Sequence, residues 1–432
     1  MPASGLLRPS VCWCRCPREA MTTVLHNRIR VLVVDDSAFM RRVLHEIISA
    51  DPGMEVVGQA ADGREAVAMA ESLRPDVITM DINMPHMDGL QATAHIMSRN
   101  PRPIVIVSSD SREGAESTLR ALELGAIEFV PKPSSAVDLD MNSVGEGLLR
   151  KLKIAAKVRV VRTATRSDAG GQTLPIKLPV ELPRSNGKSV IHPETSSGRQ
   201  SSLRADSPAA TSVAKPILRP ASVKSLPRSG PKTPDLFPLI VVAASTGGPS
   251  TLMRFIPRFP KDFPAAIFVV QHMPATFTAQ FSEQLAEKAA LRVKEAESGE
   301  IIQPGTIYVC PGSHHLRIIA GGRIALENGP RIGGYLPCAD VTLESAASYG
   351  KARTIGVVLT GMGNDAARGA GAIRASGGQV IAQDESTSVI FGMPAEAIKA
   401  GAVDQVLPLD EIFPAIEKLV LRICGAERIG VR

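Results

Sequence analysis

Residues 239–249 read LIVVAASTGGP, and this stretch decides the fold. An apolar, largely β-branched run at 239–242 passes through two alanines into Ser245, and a glycine pair follows at once. Such a pattern predicts a buried strand that ends in a tight turn and opens a helix. In open α/β sheets the carboxyl ends of the strands form the edge at which ligands bind, so a serine here stands at a reactive edge. Gly247 and Gly248 permit the sharp backbone path, and N–H groups at a helix start suit a developing oxyanion. Taken alone, the stretch fits a phosphate-cradling loop or a plain strand–helix turn equally well.

Its surroundings narrow the choice. Across 236–432 the spacing predicts strands at 239–243, 265–270, 306–309, 354–359 and 379–382, with helices at 277–290, 341–348 and 365–375. Three strands end in reactive residues: Ser245, then Gln271-His272-Met273-Pro274, then Thr360-Gly361-Met362-Gly363-Asn364-Asp365. Parallel strands share one carboxyl edge, so a Ser, a His and an Asp are predicted to meet there. Serine needs a base to take its proton, imidazole suits that task near neutrality, and the imidazole needs an acceptor that fixes its tautomer. Ser245, His272 and Asp365 fill those roles as nucleophile, base and orienter. Singly, His272 reads as a turn histidine and Asp365 as a helix cap. A nucleotide site fits less well: the second strand ends on Gln271-His272 rather than an acid, and no Gly-Lys-Ser/Thr follows the first.

Residues 28–160 repeat the alternation, with strands at 29–34, 56–60, 77–80, 103–107 and 126–130 and helices at 39–48, 64–73 and about 145–158. Asp35 and Asp36 end the first strand, Asp81 the third, Ser108 the fourth, and Lys132 follows the fifth. Loop acids that cap helices account for one Asp pair, but not for five suitable groups gathered from separate strands. Three carboxylates suit a hard divalent cation such as Mg²⁺. A metal beside Asp81 permits in-line phosphoryl transfer onto that carboxylate, with Ser108 and Lys132 binding the added oxygens. The fold class is therefore α/β: two doubly wound parallel-sheet domains, the first flavodoxin-like and the second Rossmann-like.

Between residues 162 and 234 the periodicity dissolves into Pro, Ser, Arg and Lys, with no aromatic between Phe129 and Phe237. Nothing there buries a core, so 161–235 is expected to be a long disordered linker. Residues 162–234 hold 12 Lys/Arg against 4 Asp/Glu, a net of +8 against +6 for the whole chain, which leaves the rest at −2. The pI of 9.0 thus belongs to the linker rather than to a folded basic face, and no nucleic-acid partner is expected. No apolar run reaches transmembrane length, so membrane insertion is not expected. Six cysteines, three of them clustered at 12, 14 and 16, form no disulfide framework and point to a reducing cytoplasm. Residues 1–27 are expected to be a disordered extension, with Met21 a natural second start.

Two resemblances follow from these motifs. VLVVDDS (31–37), DINMPHMDGL (81–90), IVIVSSD (104–110) and FVPKP (129–133) resemble the response-regulator receiver domain. That resemblance implies phosphorylation on Asp81 by a sensor histidine kinase, Mg²⁺ at Asp35, Asp36 and Asp81, Ser108 as switch hydroxyl and Lys132 as phosphate partner. Phe129 matches the switch aromatic and equally reads as an ordinary core residue. AASTGGP (243–249), QHMP (271–274), TGMGND (360–365) and FGMP (391–394) resemble the catalytic domain of chemotaxis protein-glutamate methylesterases. This implies demethylation, and glutamine deamidation, of methyl-accepting chemotaxis receptors, with no cofactor for the ester chemistry. Backbone amides near Thr246 and Met362 are implied as oxyanion donors. An unphosphorylated receiver is expected to cover the Ser245 edge. The same enzyme on a different receptor array, or a non-catalytic binding module, are the alternatives. In the stretch 335–340, Leu336 and Cys338 replace an expected Arg and Ser, and Ala366 stands where Gly is common. These departures are expected to touch the substrate groove and not the triad.

Overall fold

The structure, a computed structural model, describes residues 28–108, 111–132, 141–158 and 237–429, all within one compact unit. The stretches expected to be disordered, 1–27 and 161–235, lie outside the described residues.

The first half alternates β1 (Ile29–Val34), α1 (Ala38–Ser49), β2 (Met54–Ala60), α2 (Gly63–Leu73), β3 (Val77–Met80), α3 (Gly89–Arg99), β4 (Ile104–Ser108), α4 (Arg112–Glu123), β5 (Glu128–Pro131) and α5 (Met141–Ala155). All strand pairs are parallel, in the order β2-β1-β3-β4-β5. The helices start where short polar side chains satisfy first-turn N–H groups: Ser37, Asp62, Asp88 and Ser111 cap α1 to α4. β3 and β4 are buried throughout, as strands covered by helices on both faces must be. The order reverses between β1 and β3, which opens the crevice where Asp35 and Asp81 stand.

The second half runs β6 (Leu239–Ala244), α6 (Gly248–Phe255), β7 (Ala266–Gln271), α7 (Ala275–Lys288), β8 (Arg292–Glu295), β9 (Thr306–Val309), β10 (His315–Ile319), β11 (Arg323–Glu327), α8 (Ala339–Gly350), β12 (Thr354–Val358), α9 (Ala367–Ala375), β13 (Gln379–Gln383), α10 (Met393–Lys399), β14 (Gln405–Leu407) and α11 (Leu409–Ile429). Seven strands form one parallel sheet, ordered β14-β13-β12-β6-β7-β9-β8, and β10–β11 is a separate antiparallel hairpin. Its order reverses at β6, between β12 and β7, so the turns after those three strands share one crevice. The α/β class with parallel sheets and flanking helices is as read from the sequence, with strand ends displaced by a residue or two. The sequence pattern did not single out α3, α4, β8, the hairpin, β14, α10 or α11. It also began a helix at Asp365, whereas α9 starts at Ala367 and Asp365 stands in the turn before it.

A continuous apolar cluster carries Leu119, Leu122 and Phe129 from the first half and Phe255, Phe277 and Phe281 from the second. Phe129 and Phe277 pack with ring centroids 4.4 Å apart. Alongside them the Lys288 ammonium lies 2.6 Å from the Glu123 carboxylate, joining α7 to α4. No helix among the described residues is long and apolar enough to cross a membrane.

Ala366, the residue before α9, has φ +80°, in the left-handed region that favours glycine. An L side chain there costs about 1–2 kcal/mol. Ala366→Gly is therefore expected to stabilise the catalytic half by about 1 kcal/mol, a rise of about 2–4 °C in Tm by calorimetry.

Candidate active site

The turn that carries Ser245, at the end of β6, is held from three neighbouring strands. Gly247, at φ +74°, lies so close to Val389 that an added Cβ would fall 2.4 Å from the valine Cβ. Pro249 follows in the first turn of α6, where its missing N–H costs nothing. Ser245 N–H donates to the Thr360 carbonyl at 3.0 Å, and the Thr360 hydroxyl donates to the Thr246 carbonyl at 3.0 Å. Gln271 Nε2 donates to the carbonyl of Ser245 at 2.9 Å. The buried Gln383 accepts from Thr360 N–H at 2.8 Å through its Oε1. Ser245, half-buried, is thus fixed at the switch point by residues at the ends of β7, β12 and β13. Gln271 and Gln383 carry this brace, and the sequence reading assigned them no role. A glutamine at a strand end gives no local signal for it.

His272 follows β7 and lies 2.7 Å from Asp365, Nε2 to Oδ2. Its ring stacks on Tyr335, centroids 4.7 Å apart and planes inclined by 22°. Since Nε2 is committed to the carboxylate, Nδ1 is the nitrogen left to accept a proton. The Asp365 side chain has no exposed surface. Its Oδ2 also accepts from Ala339 N–H at 2.7 Å, and its Oδ1 from Asp340 N–H at 2.9 Å and Ala366 N–H at 2.9 Å. Two of these donors open α8, so the carboxylate sits at a helix N-terminus, where the helix dipole favours negative charge. Burial opposes its ionisation, but the bond and charge of His272 and the α8 amides outweigh burial and hold Asp365 below the ordinary value of 3.8.

Cys338 corrects one expectation. It was expected to lie away from Asp365, yet its Sγ is 3.3 Å from Asp365 Oδ1. It is the residue that caps α8, and the helix start delivers it to the carboxylate together with the two amides. Burial, with the Asp365 charge beside it, pushes the Cys338 thiol up to about 12, so it stays protonated and donates. Ala366 likewise reaches the carboxylate through its N–H. Leu336 lines the same cavity as Ser245 and His272. Cys338, Asp340 and Asp365 bring ligand-type atoms within 4.8 Å of one another, but the Asp365 oxygens already accept five donors. His315, beside this cluster, is buried, and its Nδ1 accepts from Cys338 N–H at 3.1 Å.

Ser245, Thr246, His272 and Met362 line a cavity of about 250 Å³. Its other wall comes from the first half: Glu128, Arg150, Lys151 and Ile154. Lys151 Nζ donates to the Phe129 carbonyl at 2.6 Å, lies 3.3 Å from the Glu128 carboxylate and stands over the Phe129 ring.

At the first sheet's edge, Lys132 Nζ lies 2.8 Å from both Asp35 Oδ2 and Asp81 Oδ2. Asp35, Asp36 and Asp81 offer carboxylate oxygens within 4.8 Å of one another, a donor set that fits a hard divalent cation. Asp81 is almost wholly buried; burial raises its pKa, and the Lys132 ammonium offsets this only in part. The buried Ser108 donates through Oγ to the Gly114 carbonyl at 3.3 Å, on α4.

A model of the CheB methylesterase family matches residues 240–416, and one of the response regulator receiver domain matches residues 31–142. A protein-glutamate methylesterase/protein-glutamine glutaminase of Pyrococcus horikoshii is 40% identical over 410 residues, spanning 94% of this chain and 98% of its own length. One of the same name from Symbiobacterium thermophilum is 40% identical over 403 residues, spanning 93% and 99%. Among solved structures, the catalytic domain of Thermotoga maritima CheB methylesterase is 44% identical, covers 43% of this chain and 97% of its own, and has a TM-score of 0.41. The response regulator domain of Thermotoga maritima CheB is 50% identical, covering 31% and 98%, with a TM-score of 0.29.

The Asp365 cage has a pH signature. A carboxyl held below 3.8 stabilises the fold above its unfolded value, and that contribution is lost as pH falls through the folded value. Asp365→Asn is expected to lower Tm at pH 7, with the gap to wild type narrowing below pH 3.8 in a calorimetric pH series. Cys338→Ser keeps a donor on Oδ1, whereas Cys338→Ala removes it. The alanine variant is expected to lose about 1–3 kcal/mol in urea unfolding, and the serine variant less than half of that.

Proposed function

Since the chain belongs to the protein-glutamate methylesterase/protein-glutamine glutaminase family, we propose that it hydrolyses glutamate methyl esters on chemotaxis receptors with Ser245, His272 and Asp365, under the control of Asp81. The observation that carries the catalytic part is the 2.7 Å contact of His272 with a fully buried Asp365 beside Ser245 in one cavity.

Ser245 Oγ attacks the ester carbonyl while His272 Nδ1 takes its proton, and the imidazolium forms against the Asp365 carboxylate. The oxyanion is held by backbone N–H groups of the two turns that flank Ser245, those of Thr246 and Met362. Collapse expels methoxide, which leaves as methanol with the proton from His272. Water, deprotonated by His272, then cleaves the acyl-enzyme, returning Ser245 and a glutamate carboxylate. A glutamine amide follows the same course with ammonia as leaving group.

Control comes from the other half. The receiver presents Phe129 to Phe277 and shares the cavity wall, so the docked arrangement restricts access to Ser245. Asp35, Asp36 and Asp81 would hold Mg²⁺, which when bound would neutralise the charge of an incoming phosphoryl group. A sensor histidine kinase is the donor. Phosphorylated Asp81 draws Lys132 onto the added oxygens, and Ser108 leaves Gly114 to meet them. Because Ser108 contacts α4, and α4 packs against α6 and α7, this exchange biases the docking. Both partners place the protein in the cytoplasm, beside the receptors' inner helices.

Methanol release from methylated receptor membranes tests this directly. It is expected to rise with Mg²⁺ and a small phosphodonor, to vanish in Ser245→Ala, and to lose its stimulation in Asp81→Asn. An unstimulated enzyme whose receiver still accepts phosphate would contradict the control scheme. Lys288→Ala removes the ion pair to Glu123, about 0.5 kcal/mol, and is expected to raise the unphosphorylated rate by about twofold.

A further inference from the structure

The contact with Asp365 fixes one vertex of the His272 ring and leaves its plane free. A histidine ring torsion is broad and roughly two-fold, so a single edge contact does not aim Nδ1. The second constraint is a face. Tyr335 lies parallel to the imidazole, 4.7 Å between centroids and 22° between planes, in the stacked geometry that aromatic pairs favour. Only 13% of the His272 side chain remains exposed.

The loop that carries Tyr335 is built to hold it. Ile332 and Tyr335 exchange both backbone hydrogen bonds at 3.0 Å, closing a tight turn over Gly333 and Gly334. Three residues on, Cys338 N–H is pinned to the buried His315, and Cys338 opens α8 above Asp365. One rigid segment therefore supplies both the cage of Asp365 and the ring on His272. The turn after β12 closes on the same phenol. Gly363, at φ +99°, would place a Cβ 1.9 Å from the Tyr335 hydroxyl oxygen. Tyr335 also lines the cavity that Ser245 and His272 line.

We propose that Tyr335 is a positioning residue for the ester hydrolysis: its ring face sets the plane of His272, aims Nδ1 at Ser245, and lies under the imidazolium when the proton arrives. This rests on the triad reading above. An aromatic face attracts a cation placed over it, so the contact strengthens as His272 becomes charged and relaxes as it discharges. Any flat aromatic ring at position 335 meets the need; the hydroxyl does not.

The test is methanol release by the full chain on methylated receptor membranes, with Mg²⁺ and a saturating small phosphodonor, resolved into kcat and KM. Tyr335→Ala is expected to lower kcat by about 10- to 100-fold with KM within about twofold of wild type. Tyr335→Phe and Tyr335→Trp are expected to restore kcat to within about threefold. In ¹³C-histidine-labelled protein, the ring protons of His272, assigned through His272→Gln, are expected upfield-shifted in wild type and Tyr335→Phe and unshifted in Tyr335→Ala. A Tyr335→Ala kcat within twofold of wild type, a Tyr335→Phe loss equal to that of alanine, a defect confined to KM, or an unshifted wild-type ring would each overturn the proposal. Persistent release by Ser245→Ala would instead overturn the triad reading on which it rests.

Discussion

The ionised carboxylate of Asp365, sealed from water, is the constraint on which the catalytic half depends. An isolated buried charge costs several kcal/mol, and here it is offset by five donors from three parts of the chain: the imidazole after β7, the start of α8, and Ala366 beside it. Removing that charge would leave α8, the turn after β12 and His272 without their common partner. Site geometry and local fold are thus one problem with one solution. The strain at Ala366 falls at the same place, since the residue that donates its N–H to Oδ1 is the one with the left-handed backbone.

A second dependence joins the halves. Phe129 is a core ring of the first sheet and also the partner of Phe277 on α7, so the apolar cluster does not stop at the boundary. Lys151 ties the same strand to the cavity through the Phe129 carbonyl and the Glu128 carboxylate. A rearrangement at the end of β5, where Lys132 bridges two buried aspartates, is therefore felt at residues that line the cavity of Ser245. The coupling proposed above needs no long pathway: β5 is four residues long, with Lys132 just beyond one end and Phe129 inside it.

What was legible in the sequence followed from local pattern. Buried parallel strands are nearly continuous β-branched runs, so 239–244 and 104–108 announce themselves, and the polar residue ending each run marks the reactive edge. Contacts between distant segments carried no such mark. Nothing local connects Gln383 to Thr360, which meet because β13 pairs with β12, nor Cys338 to Asp365 or Tyr335 to His272, which meet where the loop from 328 to 338 crosses the strand ends. The β10–β11 hairpin shows both sides of this. Its strands HLRII and RIALE carry an apolar alternation around the glycine pair 321–322, weaker than the β-branched runs of the buried sheet. β8, a four-residue strand reading RVKE at the sheet's edge, offers no apolar run at all.

The central claim is that a receiver gates a serine nucleophile, and the rate at which a fluorophosphonate labels the full chain measures that gate without any receptor. The account predicts a single adduct on Ser245 by peptide mapping, formed faster when Mg²⁺ and beryllofluoride occupy the receiver as a phosphoryl mimic. An adduct elsewhere, or a Ser245 rate indifferent to beryllofluoride, would contradict it.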